Sequence, residues 1–302
     1  MRTSSAGLLL GGLVASVLTL STPVASSGRP AEPAAVDTST STSTRTATRT
    51  ATRIALAKPT TSYHYIVNVR TPRAAKRLGF NVIDTGTSQD QIDALPRGTQ
   101  AMVWVGEKCP TRIDGAFRSL VRRLAGDRKV FGYFLSDEPH ISDCPKGPRH
   151  LAAKADFIRK TSGGRQKSFI VLCITHPPGY HAFRPRVTHV TMVGIDPYPC
   201  SVTYPSCNYG LIRHRVRQAA RAGIPRRLMV PTFQAFGQEK LSGHYYNLPT
   251  AYQLKRILNR WAALVPNPKM DFTYGWGHRA ASNPTLVDST ALKDLLQRYF
   301  QN

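Results

Sequence analysis

The chain has 302 residues, of which 41% are hydrophobic, so it can bury the core of one large domain or two small ones. Its formal net charge of +24 favours anionic partners such as an acidic polysaccharide, a wall polymer or nucleic acid. The sequence contains no zinc-finger spacing, RNA-binding aromatic signature or helix-turn-helix pattern, so we expect no specific nucleic-acid site.

The first predicted element is a secretory signal over residues 1–26. Arg2 precedes an apolar run from Ala6 to Leu20, and small residues follow at Val24 and Ser26. The run is short for a membrane span, although an uncleaved anchor is an alternative, and no later stretch of the sequence is apolar enough to be one. We therefore expect a secreted protein without a membrane span after cleavage, with attachment to the cell wall as an alternative to free secretion.

A disordered linker is predicted over residues 27–58. Its centre is a low-complexity run of threonine and serine with interspersed arginine, which cannot bury enough apolar surface to offset the entropy of ordering. Residues 1–53 contribute a net charge of only +3, so +21 of the total belongs to the remainder of the chain.

Residues 59–302 alternate apolar runs with helical patterns, which predicts a single (β/α)8 TIM barrel, an α/β fold of eight repeated units. The runs are nearly continuous in apolar residues, as in strands buried on both faces, and eight units in about 245 residues fit that barrel. A doubly wound open sheet is the alternative, but no glycine-rich phosphate motif follows the first strand. The strand candidates are Tyr65–Val69, Asn81–Asp84, Ala101–Val105, Val130–Leu135, Ser168–Ile174, Val190–Ile195, Arg227–Phe233 and Asp271–Tyr274.

Active sites of such barrels lie at the carboxyl ends of the strands, so the residues that follow each strand are the candidates. The most informative segment is VFGYFLSDEPH, in which an apolar strand runs into the acid pair Asp137-Glu138 and is stopped by Pro139. Acids, amides and aromatic residues follow the other strands, which core packing alone does not require. They are Asn68, Arg70, Asp84, Trp104, Glu107, Thr175, His176, Asp196, Tyr198, Gln234, Trp276 and His278.

Five cysteines fit an oxidising compartment. Cys109 and Cys144 each lie shortly beyond a predicted strand end, as do Cys200 and Cys207, which predicts the disulfides Cys109–Cys144 and Cys200–Cys207. Cys173 lies within a predicted strand and is expected to be a buried free thiol. The spacing does not suit a zinc site, and we expect no bound metal.

The strand ends resemble those of clan A glycoside hydrolases, and the chain is similar to secreted actinobacterial proteins of that barrel superfamily. In the clan, Asn-Glu-Pro follows strand four, a tyrosine follows strand six and a tryptophan follows strand eight. Here SDEP (136–139), DPYP (196–199) and YGW (274–276) stand in those places. The resemblance covers about residues 60–302 at the level of the superfamily. It implies a monomeric enzyme that cleaves glycosidic bonds of a polysaccharide without a cofactor.

Glycoside hydrolysis needs a proton donor and a second group that stabilises or attacks the oxocarbenium-like centre. The resemblance assigns the donor to Glu138, and an ionised Asp137 beside it would favour its protonated form. Trp276 is then the expected floor for a sugar ring, with plain core packing as the alternative for each aromatic residue. The other expected substrate-binding residues are Asn68, Asp84, Trp104, His176, Tyr198 and Gln234.

The sequence departs from the clan at strand seven, where Gln234 replaces the nucleophilic glutamate. An amide cannot form a glycosyl ester, and Glu239 is a weak substitute. Three possibilities stay open at this point. Asp196 acts as the second carboxylate, or Asp137 orients a substrate 2-acetamido group that attacks its own anomeric carbon, or the barrel binds sugar without cleaving it.

A metal-dependent phosphodiesterase is the rival enzyme class. A divalent cation held by Asp84, Asp137, Glu138 and Asp196 would support phosphoester cleavage and would suit the basic surface. Other chemistries lack their motifs, because the sequence contains neither Gly-x-Ser-x-Gly nor HExxH.

Overall fold

The computed structural model describes residues 55–172, 177–238, 245–277 and 283–302, so the predicted signal and nearly all of the predicted linker lie outside it. Eight parallel strands pair in sequence order and close into a barrel, because β1 pairs with both β2 and β8. The prediction of a TIM barrel is confirmed. The strands are β1 (His64–Ile66), β2 (Val82–Thr85), β3 (Gln100–Trp104), β4 (Val130–Asp137), β5 (Lys167–Leu172), β6 (Met192–Ile195), β7 (Met229–Gln234) and β8 (Asp271–Tyr274).

Helices lie between the strands, and short 3-10 turns occupy Arg226–Leu228 and Leu286–Asp288. The helical patterns in TPRAAKRLG, DGAFRSLVRRLAG, HLAAKADFIRKTSGG, LIRHRVRQAARAG and TAYQLKRILNRWAALV correspond to α1, α3, α4, α7 and α8. The helices are α1 (Pro72–Leu78), α2 (Gln89–Asp93), α3 (Gly115–Leu124), α4 (Gly147–Thr161), α5 (Pro177–Ala182), α6 (Pro185–Thr188), α7 (Tyr209–Arg221), α8 (Ala251–Leu264) and α9 (Thr290–Gln301).

Two apolar layers explain why the strands are apolar on both faces. Side chains alternate along β4, where Tyr133 and Leu135 belong to the layer between strands and helices while Phe134 belongs to the barrel interior. The interior layer is filled by large side chains, including Tyr65, Phe169 and Phe272. Because both layers are apolar, polar side chains are concentrated at the two ends of the barrel.

Several strand boundaries differ from the prediction for local reasons. β1 ends at Ile66, before Asn68 adopts a left-handed backbone with a φ of 62°. β4 runs two residues beyond the predicted end, and its ladder with β5 shifts register between Phe134 and Ser136. β7 begins at Met229, because the preceding residues form a 3-10 turn.

The first described residues are tied to the barrel by Asn259 of α8. Its Oδ1 accepts a hydrogen bond from the Ala57 N–H at 2.8 Å, and its Nδ2 donates to the Ala55 carbonyl at 2.7 Å. Leu56 between them packs on the outer apolar layer. Residues 55–57, which the sequence assigns to the end of the linker, therefore contact the barrel. Across the described ranges, no helix is long and apolar enough to cross a membrane.

The seam between β1 and β8 contains a buried histidine–aspartate pair. His64 stands opposite Asp271 in the ladder, and its Nδ1 lies 2.8 Å from the aspartate Oδ2. The imidazole also stacks on Phe300, with 4.0 Å between ring centroids. Burial raises the pKa of Asp271, while the hydrogen bond and charge of His64 oppose that rise.

Both predicted disulfides are confirmed, and both lie at the carboxyl end of the barrel. Cys109–Cys144 joins the loop after β3 to the loop after β4, with 5.4 Å between Cα atoms. Cys200–Cys207 closes a short turn after β6, with 4.1 Å between Cα atoms. The prediction for Cys173 lies outside the described residues.

We expect loss of the Cys109–Cys144 bridge to lower the free energy of unfolding more than loss of Cys200–Cys207. The first bridge spans 35 residues and the second spans 7, and loop-closure entropy gives about 4 and about 2 kcal/mol respectively. Chemical unfolding of the two Cys→Ser double variants tests this order. Equal stabilities, or melting unchanged by strong reductant, would contradict it.

Candidate active site

A cleft of about 800 Å³ opens at the carboxyl ends of the strands, which is the usual size of a ligand pocket. Seven of the ten residues predicted to form the catalytic and sugar-binding set line it. They are Asn68, Asp84, Trp104, Asp137, Glu138, Asp196 and Tyr198. The cleft therefore combines four carboxyl groups with aromatic rings.

The acid pair reaches the cleft through an irregular end to β4. Consecutive residues of a regular strand point to opposite faces, so Asp137 and Glu138 would not both line one cleft there. Glu138 adopts a left-handed backbone with a φ of 49°, which is uncommon for a residue with a side chain. Its N–H still donates to the Val171 carbonyl of β5 at 3.0 Å. The strained conformation is therefore held by the sheet, as is typical of functional sites.

The loop after β3 is hydrogen-bonded to the residue that precedes this acid pair. The Ser136 hydroxyl donates to the Glu107 carbonyl at 2.7 Å. The Glu107 carboxylate accepts bonds from the N–H and hydroxyl of Thr111, at 2.6 and 2.9 Å, and pairs with the buried Lys154 at 3.6 Å. Glu107 therefore braces the loop that carries Cys109, and it does not line the cleft.

Asp84 organises the loop after β1. Its carboxylate accepts bonds from the N–H groups of Asn68 and Val69, at 3.1 and 3.4 Å. Burial raises the pKa of Asp84, and these two bonds oppose the rise. Asp84 thus fixes the left-handed turn that presents Asn68 to the cleft.

Asp196 and Tyr198 follow β6 in a proline-rich corner. Asp196 is only 2% exposed, and it lines the cleft together with Tyr198. Burial raises the pKa of Tyr198 well above its usual value, and the charge of Asp196 adds to the shift. The phenol therefore stays protonated at neutral pH and remains a hydrogen-bond donor.

An aromatic wall surrounds Tyr198. Its ring lies 4.9 Å from Phe236, 5.5 Å from Tyr246 and 6.1 Å from Tyr274, measured between centroids. All four rings line the cleft. Such a wall offers flat apolar faces beside polar groups, which suits sugar rings.

Trp104 contributes a further aromatic surface at the end of β3. It is 41% exposed, and its indole packs edge-to-face on Phe134 with 4.7 Å between centroids. The ring also lies over Gly106, where a Cβ would stand only 2.6 Å from it. Glycine at that position leaves room for the indole, which any larger residue would displace.

Gln234 ends β7 as expected, but its side chain is fully buried and does not line the cleft. Its Oε1 accepts the Cys200 N–H at 3.0 Å, and its Nε2 donates to the carbonyls of Cys200 and Asn247 at 3.1 and 3.0 Å. An amide suits this position because the side chain accepts one backbone bond and donates to two carbonyls, whereas an ionised carboxylate can only accept. Gln234 clamps the loops after β6 and β7 together, which differs from its predicted contact with sugar.

The aromatic residue that β8 supplies to the cleft is Tyr274, not Trp276. Trp276 is 5% exposed and packs in the outer apolar layer, so it lies outside the predicted position beneath a sugar. His176 lies outside the described residues, as do Thr175, Glu239 and His278.

The sequence prediction missed Phe236, Tyr246 and Tyr274. Tyr274 is the last residue of a correctly predicted strand, so including the final inward residue of each strand would have found it. Phe236 and Tyr246 come from loops, and their proximity depends on the Gln234 clamp, which leaves no local signal.

Within the described ranges, no group of three or more histidine, cysteine, aspartate or glutamate side chains is placed to hold a metal ion. The cleft carboxyls Asp84, Asp137, Glu138 and Asp196 thus do not form the cation cluster on which the phosphodiesterase hypothesis depends.

No protein-family model and no curated protein matches the sequence. Among solved structures, xylanase B from Clostridium stercorarium F9 is similar at 10% identity and a TM-score of 0.52, covering 78% of this chain and 96% of that one. A GH128 endo-β-1,3-glucanase from Amycolatopsis mediterranei, in complex with laminaritriose, is 11% identical with a TM-score of 0.50, covering 80% and 100%. A chitinase from Rhizomucor miehei is 10% identical with a TM-score of 0.50 over the same shares. The resemblance to glycoside hydrolase barrels is thereby confirmed as a likeness of fold.

We expect Gln234→Glu to destabilise the protein without creating a nucleophile. A carboxylate there would face the Cys200 and Asn247 carbonyls in full burial, which should lower the free energy of unfolding by at least about 3 kcal/mol at neutral pH. Burial raises the pKa of such a carboxyl, so the loss is present above that pKa and shrinks as the pH falls and the group regains a proton.

Urea unfolding at pH 5 and pH 7 measures this, with Gln234→Met as a matched control that removes the bonds without adding charge. The control should be destabilised with little dependence on pH. A Gln234→Glu variant as stable as the parent, or one that gains hydrolytic activity, would place residue 234 in the cleft and contradict the clamp.

Proposed function

We propose that this barrel hydrolyses glycosidic bonds of a polysaccharide. The observation that carries the proposal is the cleft itself, in which Glu138, Asp137 and Asp196 line one cavity with a wall of aromatic rings. Carboxyl groups supply the acid and base that glycoside hydrolysis needs, and the rings supply faces for sugars. The names of the similar folds, a xylanase, a glucanase and a chitinase, support the same substrate class.

Glu138 is the proposed proton donor. It stands directly after β4 and is turned into the cleft by its left-handed backbone, while its N–H is anchored on β5. In the first step its carboxyl gives a proton to the glycosidic oxygen as the bond to the anomeric carbon breaks. A fixed backbone keeps the donor oriented toward that oxygen. This orientation offsets the cost of the left-handed backbone at Glu138.

Asp196 is the proposed second carboxylate. Gln234 at the end of β7 is buried away from the cleft, so β7 does not supply the second carboxylate. Asp196 follows the neighbouring strand β6 and lines the cleft. As a carboxylate it attacks the anomeric carbon or takes the proton of an attacking water. Tyr198, whose phenol stays protonated, is placed to donate a hydrogen bond to a carboxylate or a sugar hydroxyl.

Asp137 offers a second route on N-acetylated substrates. There it would orient the 2-acetamido group, whose oxygen attacks the anomeric carbon so that no enzyme nucleophile is needed. This route makes activity depend on Asp137 and on the acetamido group together, which separates it from catalysis by Asp196.

We further propose that the protein is exported, with residues 1–26 as the signal and the following low-complexity segment as a tether to the cell wall. The two disulfides support an oxidising compartment. The net charge of +24 supports an anionic polymer as substrate or attachment partner.

We expect Glu138→Gln to lower kcat by about 10²- to 10⁴-fold, because general acid catalysis is lost while the shape of the side chain is kept. Reducing-end release from neutral, acidic and N-acetylated polysaccharides by the exported chain measures the effect. Asp294→Asn, an exposed residue of α9 far from the strand ends in sequence, is the matched control and should keep full activity.

Asp196→Asn and Asp137→Asn identify the second group. If Asp196→Asn loses activity on every substrate, Asp196 is the second carboxylate. If Asp137→Asn loses activity on N-acetylated substrate alone, the 2-acetamido group of the substrate is the nucleophile. Undiminished release by Glu138→Gln would overturn the proposal.

A barrel that binds sugar without cleaving it is the alternative function, and the amide at position 234 favours it. The expected result is then no reducing-end release from the parent chain, together with equal affinity of the parent and Glu138→Gln for an oligosaccharide in calorimetry.

A further inference from the structure

A second cavity, of about 690 Å³, lies at the opposite end of the barrel. It is bounded by the first residues of β3, β4 and β5 and by the segments that lead into β1 and β8. Residues at that end of a TIM barrel usually serve stability. None of them takes part in the proposed hydrolysis.

Four basic side chains line this cavity, namely Arg128, Arg165, Lys167 and Lys269. The one acid of the lining is Asp127, whose carboxylate already accepts bonds from the Gln89 Nε2 at 2.9 Å and the Lys129 N–H at 2.8 Å. In the part of the chain that the structure describes, none of the four cations forms an ion pair with a carboxylate.

Lys167 and Lys269 each make a long contact with a backbone carbonyl. Lys167 Nζ lies 3.4 Å from the Gly164 carbonyl, and Lys269 Nζ lies 3.4 Å from the Thr191 carbonyl. Three donors on each ammonium leave capacity for a ligand. Burial lowers the pKa of Lys269, and the neighbouring charges of Lys167 and Arg227 lower it further. An anion bound among these groups would relieve that repulsion.

An aromatic ring lies beside the cations. Tyr63 lines the cavity and is 40% exposed, and its ring packs on Phe131 with 4.9 Å between centroids. Phe131 belongs to the barrel interior, so the tyrosine is supported from below. A supported, accessible ring next to several cations suits a sugar ring that carries negative groups.

We propose that this cavity binds an anionic saccharide unit of a polymer, independently of the cleft at the other end. The cations hold the carboxylate or phosphate groups and Tyr63 packs on the ring. A polymer held here would attach the barrel to an anionic surface while the cleft stays open. Single-stranded nucleic acid fits less well, because it is bound by several aromatic residues that stack successive bases, and this cavity presents one exposed ring.

The test measures binding of labelled hexagalacturonate by fluorescence anisotropy, with its uncharged methyl ester as ligand control. We expect Lys167→Gln with Lys269→Gln to weaken hexagalacturonate binding at least tenfold. Arg213→Gln with Arg217→Gln removes the same charge from the exposed face of α7 and should leave affinity within twofold. Binding should also weaken as salt is added.

Two further probes identify the chemistry. Tyr63→Ala should weaken hexagalacturonate and leave a glycerol phosphate hexamer, which has no ring, unchanged. Equal losses of hexagalacturonate affinity in the lysine and arginine double variants would mean nonspecific attraction to the basic surface. Unchanged affinity in both would mean that the ligand binds elsewhere, such as in the cleft. Tighter binding of a thymidine hexanucleotide with the same dependence on Lys167 and Lys269 would favour nucleic acid. Each of these last three results overturns the proposal.

Discussion

Closure of the parallel ladder between β1 and β8 is the constraint on which the rest of the molecule depends. His64 and Asp271 meet in register at this seam and form a buried pair 2.8 Å apart, which places the first and last strands side by side. Because all eight strands are parallel, closure brings every carboxyl end to one rim. At that rim the seam brings the Asn68 amide against Gly275, where a Cβ would lie 3.2 Å from its Nδ2. The cleft is thus formed by closure of the whole barrel and not by one loop.

The burial of Gln234 decides which chemistry the rim can support. The amide binds backbone groups on two loops, so it holds Tyr246 and Phe236 against Tyr198 and builds the aromatic wall. An ionised glutamate could only accept hydrogen bonds there, so it would face the Cys200 and Asn247 carbonyls with a buried, unpaired charge. Residue 234, where the resemblance to clan A led us to expect a nucleophile, therefore serves here to shape the cleft, and the proposed second carboxylate comes from Asp196.

The sequence was sufficient to predict the fold, the order of strands, both disulfides and the convergence of seven polar and aromatic residues on one cleft. These follow from rules that depend on local pattern, such as apolar strands followed by acids. The positions of Gln234 and Trp276 were not predictable in this way, because a residue at a strand end points inward or outward according to bulges and turns that long-range packing sets. Phe236 and Tyr246 are brought to the cleft by contacts between separate loops, which no short motif encodes. The cationic cavity at the other end likewise combines residues from five segments.

The most direct measurement of the central claim is a crystal structure of Glu138→Gln with an oligosaccharide that the parent chain cleaves. We predict sugar rings packed along Trp104 and the Tyr198 wall, with a glycosidic oxygen within hydrogen-bond distance of the residue 138 amide and the adjacent anomeric carbon facing Asp196. An oligosaccharide bound in the cleft with its glycosidic oxygens out of reach of residue 138 would contradict the assignment of the proton donor, and with it the proposed hydrolysis.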